Sequence, residues 1–172
     1  MQTDLFTRLK NISTLILDVD GVFTDGTLQV TDSGINRTFY VRDGYAIQMA
    51  LKSGLKIAVI SGAKQENVRS RLLSLGISEI HLAVSTDGKP AAFEEIRSKW
   101  GLLDSEVAYM GDDISDLLIM QQYSILKACP ADAEEEVLAI ADYVSTYPGG
   151  KGAVRDLIKQ IMLSKGLWMY YF

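Results

Sequence analysis

Short apolar runs that alternate with longer helical patterns constrain the fold of this chain more than any other feature. The four clearest runs cover residues 14–17, 56–60, 80–84 and 107–110. Their length and their β-branched and apolar composition are typical of buried strands, and patterns typical of helices separate them. Strands that alternate with helices predict a parallel sheet with helices on both faces. We therefore expect a doubly wound α/β fold.

The remaining predicted elements continue this alternation. Helical patterns cover residues 4–10, 43–53, 62–75, 89–100, 115–122, 132–140 and 153–163, and two further short strands cover 124–127 and 143–144. Asp43 is predicted to cap the helix that it begins, and Gly54 is predicted to close that helix at its C-terminal end. The sequence shows neither an internal repeat nor a low-complexity stretch.

Residues 22–41 interrupt the α/β alternation. The polar turn T-D-S-G lies between T-L-Q-V and R-T-F-Y-V, which predicts a β-hairpin with Gly34 in the turn. The insertion is short, so the chain has no room for a large cap domain between the first and third strands.

Composition limits the class of protein. With 172 residues and 48% hydrophobic content, we expect residues 1–172 to form one domain with its own core. Seventeen basic and 22 acidic residues give a net charge of −5, which disfavours a nucleic-acid partner. Cys129 is the single cysteine. The sequence shows no signal pattern and no apolar run near 18 residues, so we expect a cytoplasmic protein without membrane contact.

Two carboxylates directly follow the first apolar run, in the stretch L-I-L-D-V-D-G. Residues i and i+2 of an extended segment point the same way, so Asp18 and Asp20 can face one small site. Two close anions repel unless a cation or a shared proton relieves them. Mg²⁺ takes oxygen ligands, few of them from protein, and we predict it here. The alternative for this pair alone is a solvated acidic turn.

Polar residues also follow the other predicted strands. Ser61 follows the second strand, Lys89 lies near the start of the helix after the third, and Asp112 and Asp113 follow the fourth, with Asp116 one turn further on. Doubly wound folds bind ligands at the carboxyl ends of their strands. We therefore expect these side chains to meet Asp18 and Asp20 in one site.

This set of residues suits phosphoryl transfer to a carboxylate and then to water. Asp18 is the predicted nucleophile and forms an aspartyl-phosphate. Asp18, Asp112 and the backbone carbonyl of Asp20 are the predicted Mg²⁺ ligands. Lys89 and Ser61 are predicted to hold the phosphoryl oxygens.

Two further roles complete the predicted site. Asp20 is predicted to protonate the leaving alkoxide and then to deprotonate the attacking water. Asp113 and Asp116 are predicted to anchor the water shell of the metal or to orient Lys89.

The motifs resemble those of the haloacid dehalogenase superfamily, on its phosphatase side. The chain carries D-V-D-G-V-F-T-D-G at 18–26, S-G at 61–62, Lys89, and G-D-D-I-S-D at 111–116. Within the superfamily it is similar to the cap-less 3-deoxy-D-manno-octulosonate 8-phosphate phosphatases over nearly its full length. That similarity rests on Y-V-R-D-G-Y at 40–45, A-D-Y-V at 141–144 and G-G-K-G-A-V-R-D at 149–156.

The resemblance implies an Mg²⁺-dependent homotetramer that hydrolyses an acidic sugar phosphate. In such a tetramer the hairpin of each chain contributes to an intersubunit barrel and partly covers a neighbouring site. The substrate contacts implied by the resemblance are Tyr40, Val41, Arg42, Asp43, Gly44, Gly62 and Arg71.

Two positions depart from the family pattern. Ala63 and Gln48 stand where the octulosonate enzymes usually or often carry arginine. Lys64 is a candidate for the lost positive charge. These departures leave two substrate classes open, the eight-carbon acid phosphate and a nine-carbon 2-keto-3-deoxy acid 9-phosphate.

Two other kinds of protein use similar residues. A signalling receiver domain places its phosphoaccepting Asp after the third strand, where this chain offers only residues 84–87. A catalytically inactive oligomerisation domain is the second alternative, although every predicted catalytic residue is present. The aromatic segment 166–172 is predicted to pack either on another subunit or on its own domain.

Overall fold

Six parallel strands form the central sheet. The structure, a computed structural model, describes residues 2–169, and the side chains from residue 5 onward. The strands of this sheet are β1 (Thr14–Leu17), β4 (Lys56–Ile60), β5 (Glu79–His81), β6 (Val107–Met110), β7 (Leu126–Cys129) and β8 (Tyr143–Val144), while β2 (Gln29–Thr31) and β3 (Gly34–Asn36) form a separate hairpin. The strand order is β5-β4-β1-β6-β7-β8. The predicted parallel α/β sheet is confirmed.

Helices cover both faces of this sheet. They are α1 (Gln2–Asn11), α2 (Val41–Lys52), α3 (Glu66–Ser74), α4 (Lys89–Trp100), α5 (Ile114–Gln122), the single turn α6 (Glu135–Leu138) and α7 (Ala153–Ser164). Leu15 and Leu17 of β1 belong to the apolar cluster on one face, and Ile16 belongs to the cluster on the other. The fully buried β1 therefore lies at the centre of the core.

Several predicted boundaries differ from the structure. The strand predicted at 80–84 ends at His81, because Ala83 has a φ of +58° and its backbone nitrogen bonds to the carbonyl of Ala63 instead of extending the ladder. The helix predicted at 132–140 begins only at Glu135, since Glu134 is extended and its nitrogen bonds to the carbonyl of Asp112. The helix predicted at 62–75 begins at Glu66, and the strand predicted at 124–127 is Leu126–Cys129.

The predicted hairpin is present but shorter than the segment 22–41. Its strands are β2 (Gln29–Thr31) and β3 (Gly34–Asn36), which pair antiparallel in a separate two-stranded sheet. Helix α2 already begins at Val41, with Tyr40 as its N-cap residue. Asp43 therefore lies inside the first turn of α2, and the prediction that it caps this helix is wrong.

Part of the aromatic C-terminal segment can be described. Leu167 and Trp168 pack against the core of their own chain, which favours the second of the two predicted packings for these residues. Residues 170–172 lie outside the described part of the chain. Within that part, no helix has the length and apolar content that crossing a membrane requires.

Candidate active site

The carboxyl ends of the central strands open into one cavity of about 250 Å³. Its lining residues come from the segments after β1, β4, β5 and β6, namely Asp18, Asp20, Gly26, Ser61, Gly62, Val84, Thr86, Lys89, Asp112, Asp113 and Ser115. Strand β1 pairs with β4 on one side and with β6 on the other. The cavity therefore lies where the strand order reverses, as expected for ligand sites in doubly wound sheets.

Asp18 lies at the floor of this cavity. Its backbone nitrogen extends the β1 ladder by bonding to the carbonyl of Met110 at 3.1 Å. Its Oδ1 accepts from the nitrogen of Val19 at 2.6 Å, and its Oδ2 accepts from Lys89 Nζ at 2.7 Å. Burial, with the nearby charge of Asp116, raises the pKa of Asp18 to about 6. Hydrogen bonds thus fix the orientation of a carboxylate that solvent hardly reaches.

Lys89 is the buried cation of the site. Its Nζ donates to Asp18 Oδ2 at 2.7 Å, to Asp116 Oδ1 at 2.7 Å and to Ser115 Oγ at 3.0 Å. Burial by itself lowers the pKa of Lys89, but the charges of Asp116 and Asp18 outweigh burial and hold that pKa above its ordinary value. Lys89 therefore keeps its positive charge at the edge of the cavity.

Asp116 does not line the cavity but holds residues that do. Its Oδ1 accepts from Lys89 and from the hydroxyl of Tyr109, which is also buried. Its Oδ2 accepts from the backbone nitrogens of Asp112 at 3.1 Å and Asp113 at 3.4 Å. Because both oxygens are engaged, Asp116 positions Lys89 and the loop after β6. Asp113 caps α5 by accepting from the nitrogen of Ile114 at 2.6 Å.

The carboxylates of the cavity suit a divalent cation. Oxygens of Asp18, Asp112 and Asp116 lie within 4.8 Å of one another. Burial, followed by the charges of Asp116 and Asp18, raises the pKa of Asp112 to about 8. Burial and the neighbouring carboxylates thus disfavour the charged form of Asp112, and a bound cation would favour it. Of these three carboxylates, Asp18 and Asp112 line the cavity, and hard oxygen donors of this kind fit Mg²⁺.

Ser61 and Gly62, which follow β4, form another wall of the cavity. Ser61 follows β4 and is almost completely buried, and its Oγ accepts from the nitrogen of Ala63 at 3.2 Å. The hydroxyl hydrogen of Ser61 is therefore left to donate to an anion in the cavity. Gly62 lines the same wall.

Asp20 lies at the mouth of the cavity and pairs with an arginine of the insertion. Arg37 donates from Nε to Asp20 Oδ1 at 2.6 Å and from Nη2 to Asp20 Oδ2 at 3.0 Å. Arg37 also donates from Nη1 to Gln65 Oε1 at 2.6 Å. The segment after the hairpin thus contributes directly to the site.

Comparison with known proteins agrees with this geometry. The chain is 38% identical over 167 residues to the 3-deoxy-D-manno-octulosonate 8-phosphate phosphatase of Salmonella typhi, which covers 96% of this chain and 87% of that protein. The chain belongs to the 3-deoxy-D-manno-octulosonate 8-phosphate phosphatase family. No family model matches it.

Solved structures place the family within the haloacid dehalogenase superfamily. The Moraxella catarrhalis enzyme of this family, solved with magnesium, phosphate and the sugar acid KDO, superposes with a TM-score of 0.90 at 31% identity, over 96% of this chain and 94% of that chain. A putative hydrolase of the superfamily from Legionella pneumophila superposes with a TM-score of 0.91 at 34% identity, over 96% and 90% of the chains. The resemblance stated from the motifs is confirmed.

The substrate contacts implied by the family resemblance are dispersed in the single chain. Gly62 lines the catalytic cavity. Tyr40 and Arg42 instead line a cavity of about 280 Å³ rich in cationic side chains, among them Lys151 and Arg155. Further members of the set lie elsewhere: Val41 is exposed, Asp43 and Gly44 are buried, and Arg71 lines a third cavity together with Arg37.

Three residues of the site were missed by sequence reasoning. Ser115 lies within the G-D-D-I-S-D motif, so its spacing from Asp112 was a usable signal. Tyr109 looked like a core residue of β6, and Arg37 looked like an ordinary hairpin residue. No sequence pattern indicates the contacts of Tyr109 and Arg37, because their partners are distant in the chain or become close only in the fold.

Proposed function

We propose that this chain is an Mg²⁺-dependent phosphatase and that its substrate is 3-deoxy-D-manno-octulosonate 8-phosphate. The single observation that carries the chemistry is the pairing of the buried Asp18 with Lys89 at 2.7 Å, in a cavity that Asp112 and Ser61 also line. The substrate follows from family membership, since the Salmonella typhi relative is a phosphatase of that compound.

The residues of the cavity divide the reaction into two displacements. In the first, an Asp18 oxygen attacks phosphorus, the bond from phosphorus to the sugar oxygen breaks, and Asp20 gives its proton to the departing alkoxide. In the second, water attacks the aspartyl-phosphate, Asp20 takes a proton from that water, and the Asp18 carboxylate is restored. Lys89 and the Ser61 hydroxyl hold the phosphoryl oxygens in both steps.

The metal supplies the charge that the protein lacks. Asp18, Asp112 and the backbone carbonyl of Asp20 would hold Mg²⁺, and the ion would reduce the repulsion between the Asp18 carboxylate and the incoming phosphoryl group. Through its hydrogen bonds, Asp116 holds Lys89 and the loop that carries Asp112 in place during both steps.

The decisive experiment compares kcat/KM for eight-carbon and nine-carbon 2-keto-3-deoxy acid phosphates in the presence of Mg²⁺. We expect the eight-carbon substrate to be preferred. A tenfold or greater preference for a nine-carbon substrate, about 1.4 kcal/mol, would overturn the substrate assignment but not the chemistry. Asp18→Asn is expected to lower kcat by about a thousandfold or more, equivalent to about 4 kcal/mol, because it removes the nucleophile. An Asp18→Asn variant with full turnover would sink the mechanism.

The nine-carbon alternative rests on Ala63 and Gln48. Ala63 is buried, directly follows Gly62 of the cavity wall, and donates from its nitrogen to Ser61 Oγ, so position 63 adjoins the catalytic cavity. Gln48 lines a separate surface depression with Leu51 and Leu75. Of the two departures, Ala63 is therefore the one that bears on substrate choice within a single chain. An Ala63→Arg variant is expected to change the ratio of the two kcat/KM values, whereas Gln48→Arg is the matched control.

We also propose that residues 1–172 act as one domain within a homotetramer that associates through the hairpin. Val30 in β2 is 75% exposed and Leu28 before it is 46% exposed, an apolar surface that another copy of the hairpin would cover. An isolated two-stranded sheet is marginally stable in water, which also favours a partner. Val30→Asp is expected to give monomers in sedimentation experiments, and Leu103→Asp, at an exposed site away from the hairpin, is expected to leave the oligomer intact.

The proposed cellular location is the cytoplasm. Cys129 is a buried free thiol, which is common in a reducing compartment, where disulfides are rare. Detection of the protein in the cytoplasmic fraction of cells checks this proposal, and recovery from a secreted fraction would contradict it.

A further inference from the structure

Arg37 closes one side of the catalytic cavity with a two-pronged contact to Asp20. The two hydrogen bonds run from Nε to Oδ1 at 2.6 Å and from Nη2 to Oδ2 at 3.0 Å. The side chain of Arg37 is only 5% exposed, whereas that of Asp20 is 37% exposed. The buried guanidinium of Arg37 thus binds the carboxylate of Asp20, which is still partly exposed in the cavity.

This geometry restrains the orientation of Asp20. A planar guanidinium that donates two parallel hydrogen bonds fixes the plane of the carboxylate as well as its position. In the ionised state, in which Asp20 takes a proton from water, its carboxylate has about four sites that accept hydrogen bonds. Arg37 uses two of them, and the remaining sites are left for the sugar oxygen or for water in the cavity.

Arg37 is itself held in place by a second residue. Its Nη1 donates to Gln65 Oε1 at 2.6 Å, and Gln65 is the N-cap residue of α3. The same Gln65 oxygen accepts from the backbone nitrogen of Lys64 at 3.2 Å. Side-chain hydrogen bonds therefore join Gln65 to Arg37 and Arg37 to Asp20, and the backbone nitrogen of Lys64 holds the Gln65 amide. Enzymes fix a catalytic acid or base through supporting hydrogen bonds of this kind.

We propose that Arg37 is a positioning residue for Asp20. Arg37 holds the carboxyl group of Asp20 in the orientation from which it passes a proton to the departing sugar oxygen and later takes one from the attacking water. Arg37 forms no bond to phosphorus or to the leaving group, and every bond change takes place at Asp18, Asp20, phosphorus and water. This inference rests on the proposed function, because it assumes that Asp20 is the acid and base.

The first test measures two steps of one reaction in Arg37→Gln and Arg37→Lys variants. With p-nitrophenyl phosphate, release of p-nitrophenolate in the first turnover is expected to stay within twofold of wild type, because this leaving group departs without a proton. Steady-state turnover is expected to fall about tenfold or more, about 1.4 kcal/mol, since the attacking water then lacks a well-placed base. Lysine keeps the charge but not the planar fork, so Arg37→Lys is expected to restore only part of the lost turnover.

The second test is a double-mutant cycle with Asp20→Asn. If Arg37 acts through Asp20, Arg37→Gln lowers steady-state turnover in the wild-type background and has less than a twofold effect in the Asp20→Asn background. Equal losses in both backgrounds would overturn the proposal. So would a rise in KM with unchanged kcat, which would mark Arg37 as a direct substrate contact.

Matched controls separate positioning from stability and from the choice of substrate. Arg8 makes a comparable two-pronged pair with Asp142, at 2.7 and 2.9 Å, near the opposite ends of the strands, so Arg8→Gln is expected to leave both kinetic steps unchanged. A fall in first-turnover release that matches a fall in melting temperature would mean that Arg37 is merely structural. Failure of the eight-carbon substrate alone would refute the proposed substrate, while the p-nitrophenyl phosphate measurements would still decide the role of Arg37.

Discussion

Asp43 in the first turn of α2 accepts a 2.9 Å hydrogen bond at Oδ1 from the backbone nitrogen of Arg155 in the first turn of α7. The two residues are 112 positions apart in the sequence. Helix α7 has Gly152 as its N-cap residue and thus no capping side chain of its own. Asp43 supplies an acceptor for the unpaired nitrogens at that helix end from another helix. This contact joins the segments Y-V-R-D-G-Y and G-G-K-G-A-V-R-D in the fold.

The first prediction concerns stability and pH at Asp43. Burial raises the pKa of Asp43 to about 6, and its Oδ2 has no hydrogen-bond partner among the described residues. The folded protein therefore holds a proton on the Asp43 carboxyl more tightly than the unfolded chain does. The stability that the protonated Asp43 contributes is lost as the pH rises from about 4 through 6. Wild type loses this stability between pH 4 and pH 7, whereas Asp43→Asn does not. The unfolding free energy of Asp43→Asn minus that of wild type is therefore expected to rise by about 2 to 3 kcal/mol over this range.

Urea unfolding of both proteins across this pH range measures the difference. Asp25→Asn is the control of opposite sign, because the hydrogen bonds from Thr27 lower the pKa of Asp25. A difference between wild type and Asp43→Asn that does not change with pH would refute the first prediction.

The second prediction compares the contributions of Asp116 and Asp113 to the unfolding free energy. Asp116 is completely buried and accepts from Lys89, Tyr109 and two backbone nitrogens. Asp116→Ala leaves the buried Lys89 with one fewer counter-charge, and we expect a loss of about 3 kcal/mol in unfolding free energy. Asp113→Ala removes only an N-cap and is expected to cost about 1 kcal/mol.

Chemical denaturation followed by circular dichroism compares these two variants. Similar losses for Asp113→Ala and Asp116→Ala would show that the buried network around Asp116 contributes no more than an ordinary helix cap.

The third prediction uses two glycines with nearly the same backbone conformation. Gly21 has a φ of +77° and Gly26 has a φ of +76°. A Cβ at Gly21 would overlap the carboxylate of Asp112, whereas a Cβ at Gly26 would have no neighbour closer than 3.8 Å. Gly26→Ala is therefore expected to cost about 1 to 2 kcal/mol of backbone strain. Gly21→Ala is expected to cost more and to displace a proposed metal ligand.

The measurement for these glycines is the Mg²⁺ concentration that gives half-maximal phosphatase activity. We expect Gly21→Ala to raise that concentration about tenfold or more, about 1.4 kcal/mol, and Gly26→Ala to leave it nearly unchanged. Equal Mg²⁺ dependence in both variants would rule out the displacement of Asp112.

The fourth prediction concerns metal binding without turnover. Because Asp18 and Asp112 bring negative charge together in a buried cavity, Mg²⁺ is expected to stabilise the folded protein. At one hundred times its dissociation constant, the ion adds about 2.7 kcal/mol to the unfolding free energy, which calorimetry detects as a higher melting temperature.

Asp112→Asn is the variant that tests this assignment. It removes one proposed ligand and is expected to abolish most of the Mg²⁺-induced shift in melting temperature. The control Asp113→Asn retains a good N-cap residue and is expected to keep the full shift. An unchanged shift in Asp112→Asn would assign the ion to another site.

Sequence patterns were sufficient for the elements that are repetitive or locally determined. The apolar run at 14–17 predicted β1, and Gly54 was predicted to close its helix. Gly54 does have the positive φ, +88°, that such a helix end requires. The expectation that polar residues after separate strands share one cavity also followed from the sequence, because all carboxyl ends of a parallel sheet lie at one edge.

Boundaries that depend on distant contacts were not predictable in the same way. The early end of β5 reflects the bond between Ala83 and Ala63, and the late start of α6 reflects the bond between Glu134 and Asp112. The local pattern of apolar and polar residues predicts neither bond, because each joins residues that are distant in the sequence.

The sequence by itself determined the α/β alternation and the chemical types that follow each strand. Only the tertiary structure decided that Asp43 caps α7, that Asp116 holds Lys89, and that Arg37 grips Asp20. The physical reason is that hydrophobic periodicity depends on near neighbours, whereas a hydrogen bond between charged side chains depends on distance and angle after the chain has packed.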